Sequence, residues 1–222
     1  MEGNTLTVDT NIQQTYYFRA INGKNLSSDS TVGYVVNIDK VVPLITLTPS
    51  ITEITNQSYD VNISVDAIGA SNIKSITLNG EDITGQGSFT VDKNGPYVVK
   101  VESNSGLVST QRIVINNIDK TAPEITKILI DAVNAGDYSG FNDEYGLFFK
   151  GEAQITISAK DFGIAGVNSL EFRYVDEDGN PLGGWENYDD KNKPSVNSQF
   201  KGYVEAKAND DAGNISDIYR SE

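Results

Sequence analysis

The sequence contains no cysteine and no histidine among its 222 residues. The lack of cysteine excludes disulfide bonds, thiol nucleophiles and zinc–thiolate sites. The lack of histidine excludes Ser-His-Asp triads and imidazole metal ligands. These two absences remove many common catalytic and metal-binding arrangements, and we expect no catalytic residues in this chain.

Basic residues and long apolar runs are also scarce. The chain has 17 Lys and Arg against 31 Asp and Glu, which gives a formal net charge of −14. This balance argues against binding nucleic acid through phosphate neutralisation. No apolar run approaches the roughly 20 residues that cross a bilayer, so we expect no membrane insertion. The first residues lack the basic and apolar regions of a signal peptide, and a piece of a longer secreted chain would share that pattern.

The sequence does contain an internal repeat, the feature to seek before single motifs. The tetrapeptide Asn-Ile-Asp-Lys stands at 37–40 and again at 117–120. Each copy runs on to a proline, Pro43 or Pro123, and then to an Ile-Thr pair. Because proline fixes its own φ and keeps the preceding residue extended, these segments are typical of short, stiff linkers.

Further matches extend the repeat beyond the linkers. They join 16–28 with 97–109, 95–109 with 202–216, and 63–76 with 157–170. The last match pairs Gly69 with Gly163 without a gap. We therefore predict the tail of one unit at 1–39, a full unit at 40–119 and an enlarged unit at 120–222. Both ends of the chain then lie inside a repeat, as expected of a piece of a longer protein.

The repeat unit has the pattern of antiparallel β-strands. Apolar residues recur at every second position in Val61, Ile63 and Val65, and again in Val99 and Val101. A period of two indicates strands with one buried face. Turn dipeptides such as Asn-Gly and Ser-Gly separate these runs at intervals of about 8 to 12 residues, the spacing of a β-sandwich. We predict an all-β fold of tandem immunoglobulin-like sandwiches without helices.

Three segments carry a family resemblance. They are Ile-Asp-Lys-Thr-Ala-Pro at 118–123, Phe-Thr-Val-Asp-Lys-Asn-Gly at 89–95 and Asp-Asp-Ala-Gly-Asn-Ile-Ser at 210–216. The chain resembles the tandem bacterial Ig-like domains of Gram-positive surface and secreted proteins. The resemblance implies an extracellular or cell-wall location, in adhesin stalks or in accessory modules of cell-wall or glycan-acting enzymes. A fold resemblance alone does not establish the function.

Two interpretations of the function follow from this resemblance. In the first, the chain is a monomeric, non-catalytic spacer that contacts neighbouring domains of the same chain and projects a functional domain. In the second, loops of the third unit bind a glycan or a host protein, or the unit is an accessory domain of a secreted glycan-acting enzyme. Paired catalytic carboxylates need a fixed separation across a cleft, and nothing in the sequence places two in this way.

The second linker contains a candidate cation ligand. Ca²⁺ takes about six to eight oxygen ligands from carboxylates, carbonyls and water. Asp119 is a candidate to join carboxylates of neighbouring turns, Asp161, Asp210 and Asp211, in a Ca²⁺ site at the interdomain junction. Lys120 next to it opposes cation binding, and the alternative is a plain rigid spacer without any cofactor.

The third unit concentrates both charge and aromatic residues. Residues 120–222 carry nine of the fourteen net negative charges and 13 of the 20 aromatic residues. Trp185 and Tyr188 lie in an expanded loop, where aromatic planes are able to stack on sugars or anchor a protein partner. The alternative is that Trp185 folds back and caps the core. The acidic residues likewise have two interpretations, a solvated surface or cation ligands.

The first unit is only part of a sandwich. Its apolar alternation predicts strands at 6–8, 16–21 and 32–38, whose apolar face has no second sheet to cover it. Since a remnant of three strands is marginally stable alone, we expect this segment to be mobile or to bury that face on a neighbour.

Overall fold

The computed structural model of the protein describes residues 5–8, 14–35, 38–66, 69, 71–142, 146–197 and 199–222. The described residues form β-strands, turns and irregular segments and contain no helix, so the predicted all-β class is confirmed. Accordingly, this part of the chain holds no helix of the length and apolarity that a membrane span requires.

The chain divides into two compact units. We call these the first unit and the second unit, and we call the sequence repeats the first, middle and third repeat. The first unit comprises Met1–Ser50, Asp60–Thr90 and Gly95–Ile115. The second unit comprises Ile51–Tyr59, Val91–Asn94 and Asn116–Glu222. Two short segments that the repeat pattern assigns to the middle repeat therefore belong to the same compact unit as the third repeat.

The first nine strands build the first unit, apart from the terminal residues Tyr59 and Val91. In chain order they are β1 (Gln14–Phe18), β2 (Thr31–Val35), β3 (Leu44–Pro49), β4 (Tyr59–Asp66), β5 (Ile73–Leu78), β6 (Glu81–Asp82), β7 (Ser88–Val91), β8 (Gly95–Ser103) and β9 (Val108–Ile115). One sheet has the order β3-β4-β7 and a second has the order β6-β5-β8-β9. The registered pairs of both sheets are antiparallel, and β1 pairs separately with β2.

The interior of the first unit follows the predicted alternation. Ile45 of β3 is 6% exposed, and Val61 of β4, with Val99 and Val101 of β8, is fully buried. Successive side chains of a strand point to opposite faces, so the polar residues between these positions face solvent. Burying apolar residues from both sheets is what stabilises a sandwich of this kind.

The β1–β2 hairpin leaves large apolar side chains exposed, as the repeat comparison predicts. Phe18 is 45% exposed, whereas Val99, its counterpart in the middle repeat, is fully buried. Tyr17 and Leu26 are also exposed. Residues 5–8 form no strand, so the predicted strand at 6–8 is wrong. The predicted strand at 32–38 includes residues 36–37, which lie outside the described residues.

The remaining nine strands build the second unit. They are β10 (Glu124–Ala132), β11 (Tyr138–Asn142), β12 (Gly146–Phe149), β13 (Ala153–Lys160), β14 (Val167–Val175), β15 (Glu186–Asn187), β16 (Ser195–Val196), β17 (Tyr203–Asp210) and β18 (Tyr219–Arg220). One sheet has the order β10-β13-β16 and the other has the order β15-β14-β17-β18. This is the arrangement of three and four strands that the first unit also has. Residues 131–150, where the third repeat is longer than the middle repeat, contain an added hairpin, β11–β12.

Seven buried residues form the core cluster of the second unit. They are Ile125, Ile155, Ile157, Phe172, Val204, Ala206 and Ala208, and they come from both sheets. The small alanines of β17 lie in the same core cluster as Phe172 of β14. Protein interiors are closely packed, so a core of this kind tolerates little change in side-chain volume.

Candidate functional site

Asp119 lies between β9 and β10 and is 3% exposed. Its Oδ1 accepts a hydrogen bond of 2.9 Å from the Thr121 N–H. Its Oδ2 accepts hydrogen bonds of 2.6 and 2.7 Å from the N–H groups of Ile164 and Ala165. These two N–H groups belong to the loop between β13 and β14, so one carboxylate joins the linker to that loop. Hydrogen bonds to a charged acceptor are roughly twice as strong as those between neutral groups.

The loop approaches Asp119 closely because residue 163 is a glycine. A Cβ atom on Gly163 would overlap with the carboxylate of Asp119. Burial acts to raise the pKa of Asp119, but the N–H donors of Thr121, Ala165 and Ile164 outweigh it, and the pKa lies below the ordinary 3.8. Asp119 therefore carries its negative charge at neutral pH.

The first unit repeats this arrangement around Asp39. The Val41 N–H donates to Asp39 Oδ1, and the Ser71 N–H donates to Asp39 Oδ2, both at 3.0 Å. A Cβ atom on Gly69 would overlap with this carboxylate. The hydrogen bonds from the Ser71 hydroxyl and the Val41 N–H lower the pKa of Asp39. The repeat counterparts of Asp39, Val41, Gly69 and Ser71 are Asp119, Thr121, Gly163 and Ala165. We call the arrangement the aspartate lock.

The backbone of the second linker is also held within the second unit. The Thr55 N–H donates to the Asn117 carbonyl at 3.0 Å, and the Asp119 N–H donates to the Thr55 carbonyl at 2.9 Å. The side-chain amide of Asn94 donates to the Ile118 carbonyl and accepts from the Ile118 N–H. The segment that the sequence indicates as a linker is therefore a hydrogen-bonded part of a folded unit.

Three carboxylates of the second unit lie together, and we call them the acidic cluster: Asp119, Asp161 and Asp210. Each contributes one oxygen, and the three oxygens lie within 4.8 Å of one another. Asp161 Oδ1 accepts a 2.8 Å hydrogen bond from the Gly163 N–H. Asp161 Oδ2 is buried and has no hydrogen-bond partner in the described part of the chain. A buried polar atom without a partner is unfavourable, so this oxygen is the atom of the cluster that most needs a further partner, such as a cation.

Asp210 also closes the turn after β17. Its Oδ1 accepts from the Asn214 N–H and its Oδ2 accepts from Asn214 Nδ2, both at 2.7 Å. Asn214 Nδ2 donates as well to the Asp119 carbonyl at 3.0 Å. The repeat-equivalent residues Asn22 and Ser103 accept an N–H bond from the residue four positions later in the same way. Capping this turn is therefore common to the three repeats.

The structure brings together three of the four predicted cation ligands. Asp211 is exposed, and its carboxylate is not one of the three in the acidic cluster. In the middle repeat the positions of Asp161 and Asp210 are held by Ala67 and Ser103. The lock is therefore shared by two repeats, whereas the two additional carboxylates are specific to the third.

Sequence reasoning missed the role of two residue types at this site. It paired Gly69 with Gly163 but gave the pair no function, and it did not single out Asn214. The signal for the glycines was their recurrence at the same position of two repeats. A close approach between segments distant in sequence needs a glycine, but which atoms approach is visible only in the fold.

Trp185 lies on the outer face of the β15-β14-β17-β18 sheet and does not cap the described core. Its ring centroid is 4.5 Å from the Arg173 guanidinium carbon and 4.8 Å from Lys207 Nζ. Both cations alternate along their strands with the buried Phe172 and Ala206, so they project away from the core. Two cations therefore contact the indole ring.

Glu205 stands on the same outer face between two arginines and is 5% exposed. Arg173 Nε donates to Glu205 Oε2 at 2.8 Å, and Arg220 Nη2 donates to Oε1 at 2.6 Å. Burial acts to raise the pKa of Glu205, but the two arginines outweigh it and hold the pKa below the ordinary 4.5. The outer face thus has a buried carboxylate with both oxygens paired.

Tyr188 has a different environment. Its ring packs against the core cluster, and its hydroxyl donates to Asp190 Oδ1 at 3.1 Å. Tyr188 therefore faces the core side of the sheet and Trp185 the outer side. The structure does not bring these two predicted ligand-binding residues into one platform.

Comparisons with known proteins give a distant structural likeness. One similar solved structure is that of the fibronectin(III)-like modules of Clostridium thermocellum CbhA, with 11% sequence identity and a TM-score of 0.30. The match covers 80% of this chain and 92% of that chain. No protein-family model matches the sequence. No curated protein matches it either.

Proposed function

We propose that the chain is a non-catalytic, extracellular spacer of tandem Ig-like sandwiches, with repeat boundaries near residues 40 and 120. In this role it projects a functional domain of a longer bacterial surface or secreted protein. The observation that carries the proposal is the aspartate lock, which Asp39 forms in the first unit and Asp119 forms in the second.

The lock gives a spacer the property that it needs. A Gly/Ser linker behaves as a flexible coil, whereas a short linker with a proline is stiffer. Pro43 and Pro123 stiffen the two linkers, and the carboxylates of Asp39 and Asp119 attach each linker to the loop of the sandwich that follows. Since each lock lies within its own unit, every added repeat brings its own anchored linker.

Amide hydrogen exchange tests the lock residue by residue. We expect slow exchange at the Ile164 and Ala165 amides in the wild-type protein and fast exchange in Asp119→Ala. Asp217→Asn is the matched control, because Asp217 is exposed. If Asp119→Ala leaves both amides protected, the lock is not what holds the loop and the proposal loses its support.

A second experiment separates the spacer from a binding module. The spacer needs no ligand at the Trp185 loop, so we expect no signal that depends on Trp185 on a glycan array or in pulldown from host extracellular matrix. A signal that disappears in Trp185→Ala would replace the spacer with the binding module. A signal that Trp185→Ala leaves unchanged would exclude the Trp185 loop as the binding site and would place the partner elsewhere on the chain.

A second candidate function is Ca²⁺ binding by the acidic cluster. The buried, unpartnered Asp161 Oδ2 beside two further carboxylates favours it. Carboxylate oxygens are the ligands that Ca²⁺ prefers, and the carbonyl and water ligands would complete the shell. Because Ca²⁺ would bind the folded state and not the unfolded chain, the melting temperature would rise with the Ca²⁺ concentration.

The test of this site compares two aspartates in the same unit. We expect Ca²⁺ to raise the melting temperature of the wild-type protein and of Asp211→Asn, and to have no effect on Asp161→Asn. Asp211 is the matched control because it is exposed and adjacent to Asp210 in the chain. Equal melting temperatures in Ca²⁺ and in chelator would exclude the site and leave the spacer proposal intact.

A further inference from the structure

The outer edge of β13 is largely open. β13 pairs with β10 along its whole length, from Lys160 back to Ala153. On its other side it pairs with β16 at Ala153 and Gln154, and the Ile155 N–H donates to the Pro194 carbonyl at 2.8 Å. Among the described residues, no strand pairs with this edge beyond Ile155.

The open edge forms one wall of a groove with a volume of about 720 Å³, which we call the side groove. Residues 156–159 of β13 line one wall and residues 167–170 of β14 line the other, with Tyr188 and Asp190 beside them. β15 pairs with β14 only at Glu171 and Phe172. The β14 wall is partly occupied, because the Tyr188 N–H donates to the Leu170 carbonyl at 2.8 Å. The β13 wall is an open strand edge, and exposed strand edges are templates for pairing with another chain.

The backbone groups on the β13 wall point into the groove. The Ile155 N–H points to the β16 side. Because N–H groups of alternate residues in a strand point to the same side, the N–H groups of Ile157 and Ala159 also point there. The hydroxyl of Tyr188, which also lines the groove, lies beside the Ile157 N–H. The N–H and C=O of Ala159 and the C=O of Ile157 are the groups that a further strand would meet.

The first unit shows what such an edge accepts. Ile63 of β4 stands at the repeat position of Ile157, and its N–H donates to the Gly87 carbonyl at 2.8 Å, just before β7. In β7, Phe89 and Val91 are buried and Thr90 is exposed. In the first unit a backbone carbonyl next to a strand thus pairs with this N–H, whereas in the second unit the Tyr188 hydroxyl lies beside it.

We propose that the side groove binds an extended peptide segment of a partner protein, which adds to the free edge of β13 as a strand. The pattern of β7 predicts apolar residues at alternate positions of this segment, facing the sandwich interior. Residues 120–222 carry nine of the fourteen net negative charges, and Asp190, which pairs with Lys193 at 3.4 Å but stays largely exposed, lies at the groove. The exposed positions of the segment therefore favour Lys or Arg. Main-chain hydrogen bonds supply affinity and the alternate side chains supply specificity in this mode of recognition.

The probe is a synthetic peptide based on β7. It has the sequence Gly-Ser-Phe-Lys-Val-Asp-Lys, in which Lys replaces the exposed threonine, and a scrambled peptide is the control. We expect the first peptide, titrated into the full chain, to shift the amide NMR signals of Ala159 and Asn168. The scrambled peptide is expected to shift neither.

Two variants change the affinity in opposite directions. Ala159→Pro removes an outward N–H from an edge strand, a place where proline is tolerated, and should abolish peptide binding with the fold retained. Tyr188→Phe removes the hydroxyl beside the Ile157 N–H, so that N–H is left for a hydrogen bond with a bound strand. We expect roughly a five- to tenfold tighter dissociation constant for Tyr188→Phe, equivalent to one hydrogen bond.

Three outcomes would overturn the proposal. The first is no peptide binding by the wild-type protein and by Tyr188→Phe. The second is equal affinity of Tyr188→Phe and the wild type, which remains informative even if Ala159→Pro does not fold. The third is dimerisation of the chain, seen by analytical ultracentrifugation and suppressed by the peptide, because a second copy would then be the occupant of the groove.

Discussion

The carboxylate of Asp119 occupies the space in which a side chain on Gly163 would begin. Asp39 and Gly69 stand in the same relation in the first unit. Neither glycine has the positive φ that usually explains a glycine, so the requirement is for space rather than for backbone freedom. The linker aspartate and the loop glycine therefore depend on each other. Replacing either residue should break the hydrogen bonds between the linker and the loop.

The first prediction concerns the glycine of the second lock. Gly163→Ala should lower the free energy of unfolding by about 2 to 4 kcal/mol, because the methyl group displaces the buried carboxylate of Asp119 and leaves the N–H groups of Thr121, Ile164 and Ala165 without their acceptor. Gly183→Ala is the matched control, since nothing lies near its added Cβ atom. Urea unfolding followed by circular dichroism measures both. Equal midpoints for the two variants would contradict the assignment.

The second prediction concerns acid. In the folded protein the pKa of Asp119 is below 3.8, whereas in the unfolded chain it returns to that value. The ionised carboxylate therefore contributes stability that is fully present above pH 3.8 and is lost as the pH falls through the lower, folded-state pKa.

Comparison with Asp119→Asn isolates that contribution. The wild-type protein should be the more stable at pH 7, and the difference in the free energy of unfolding should close as the pH falls through the folded-state pKa of Asp119, which lies below 3.8. Denaturant titrations across this range provide the measurement. A difference that stays constant from neutral to acid pH would mean that the charge of Asp119 does not stabilise the fold.

The all-β class was predictable from the sequence because period-two alternation at residues such as Val99 and Val101 reflects burial directly. The grouping of Asp119, Asp161 and Asp210 was also predictable, since the repeat places their loops at the same end of one sandwich. The positions of Trp185 and Tyr188 were not. Which face of a sheet a loop residue covers depends on its contacts, here with Arg173 and Lys207, and no local pattern encodes those.

The third prediction tests the paired carboxylate on the outer face of the second unit. Glu205→Gln should lower the free energy of unfolding by about 2 to 3 kcal/mol at neutral pH, because two arginines lose their charged partner. Glu102→Gln is the control: Glu102 pairs with Lys74, whose side chain is 58% exposed, so it should change stability little. Similar losses in the two variants would show that burial does not distinguish the pairs.

The last prediction separates the outer face from the core. Phe172→Ala should lower the free energy of unfolding by about 3 to 5 kcal/mol, because it opens a cavity in the core cluster. Trp185→Ala removes a larger ring but leaves no internal cavity, and it should cost about 1 kcal/mol through the lost contacts with Arg173 and Lys207. Thermal unfolding of both variants measures the difference. As Trp185 is the only tryptophan, acrylamide quenching of the folded protein gives an independent check. Strong quenching agrees with an indole on the outer face, whereas a protected indole together with a loss as large as that of Phe172→Ala would place Trp185 in the core.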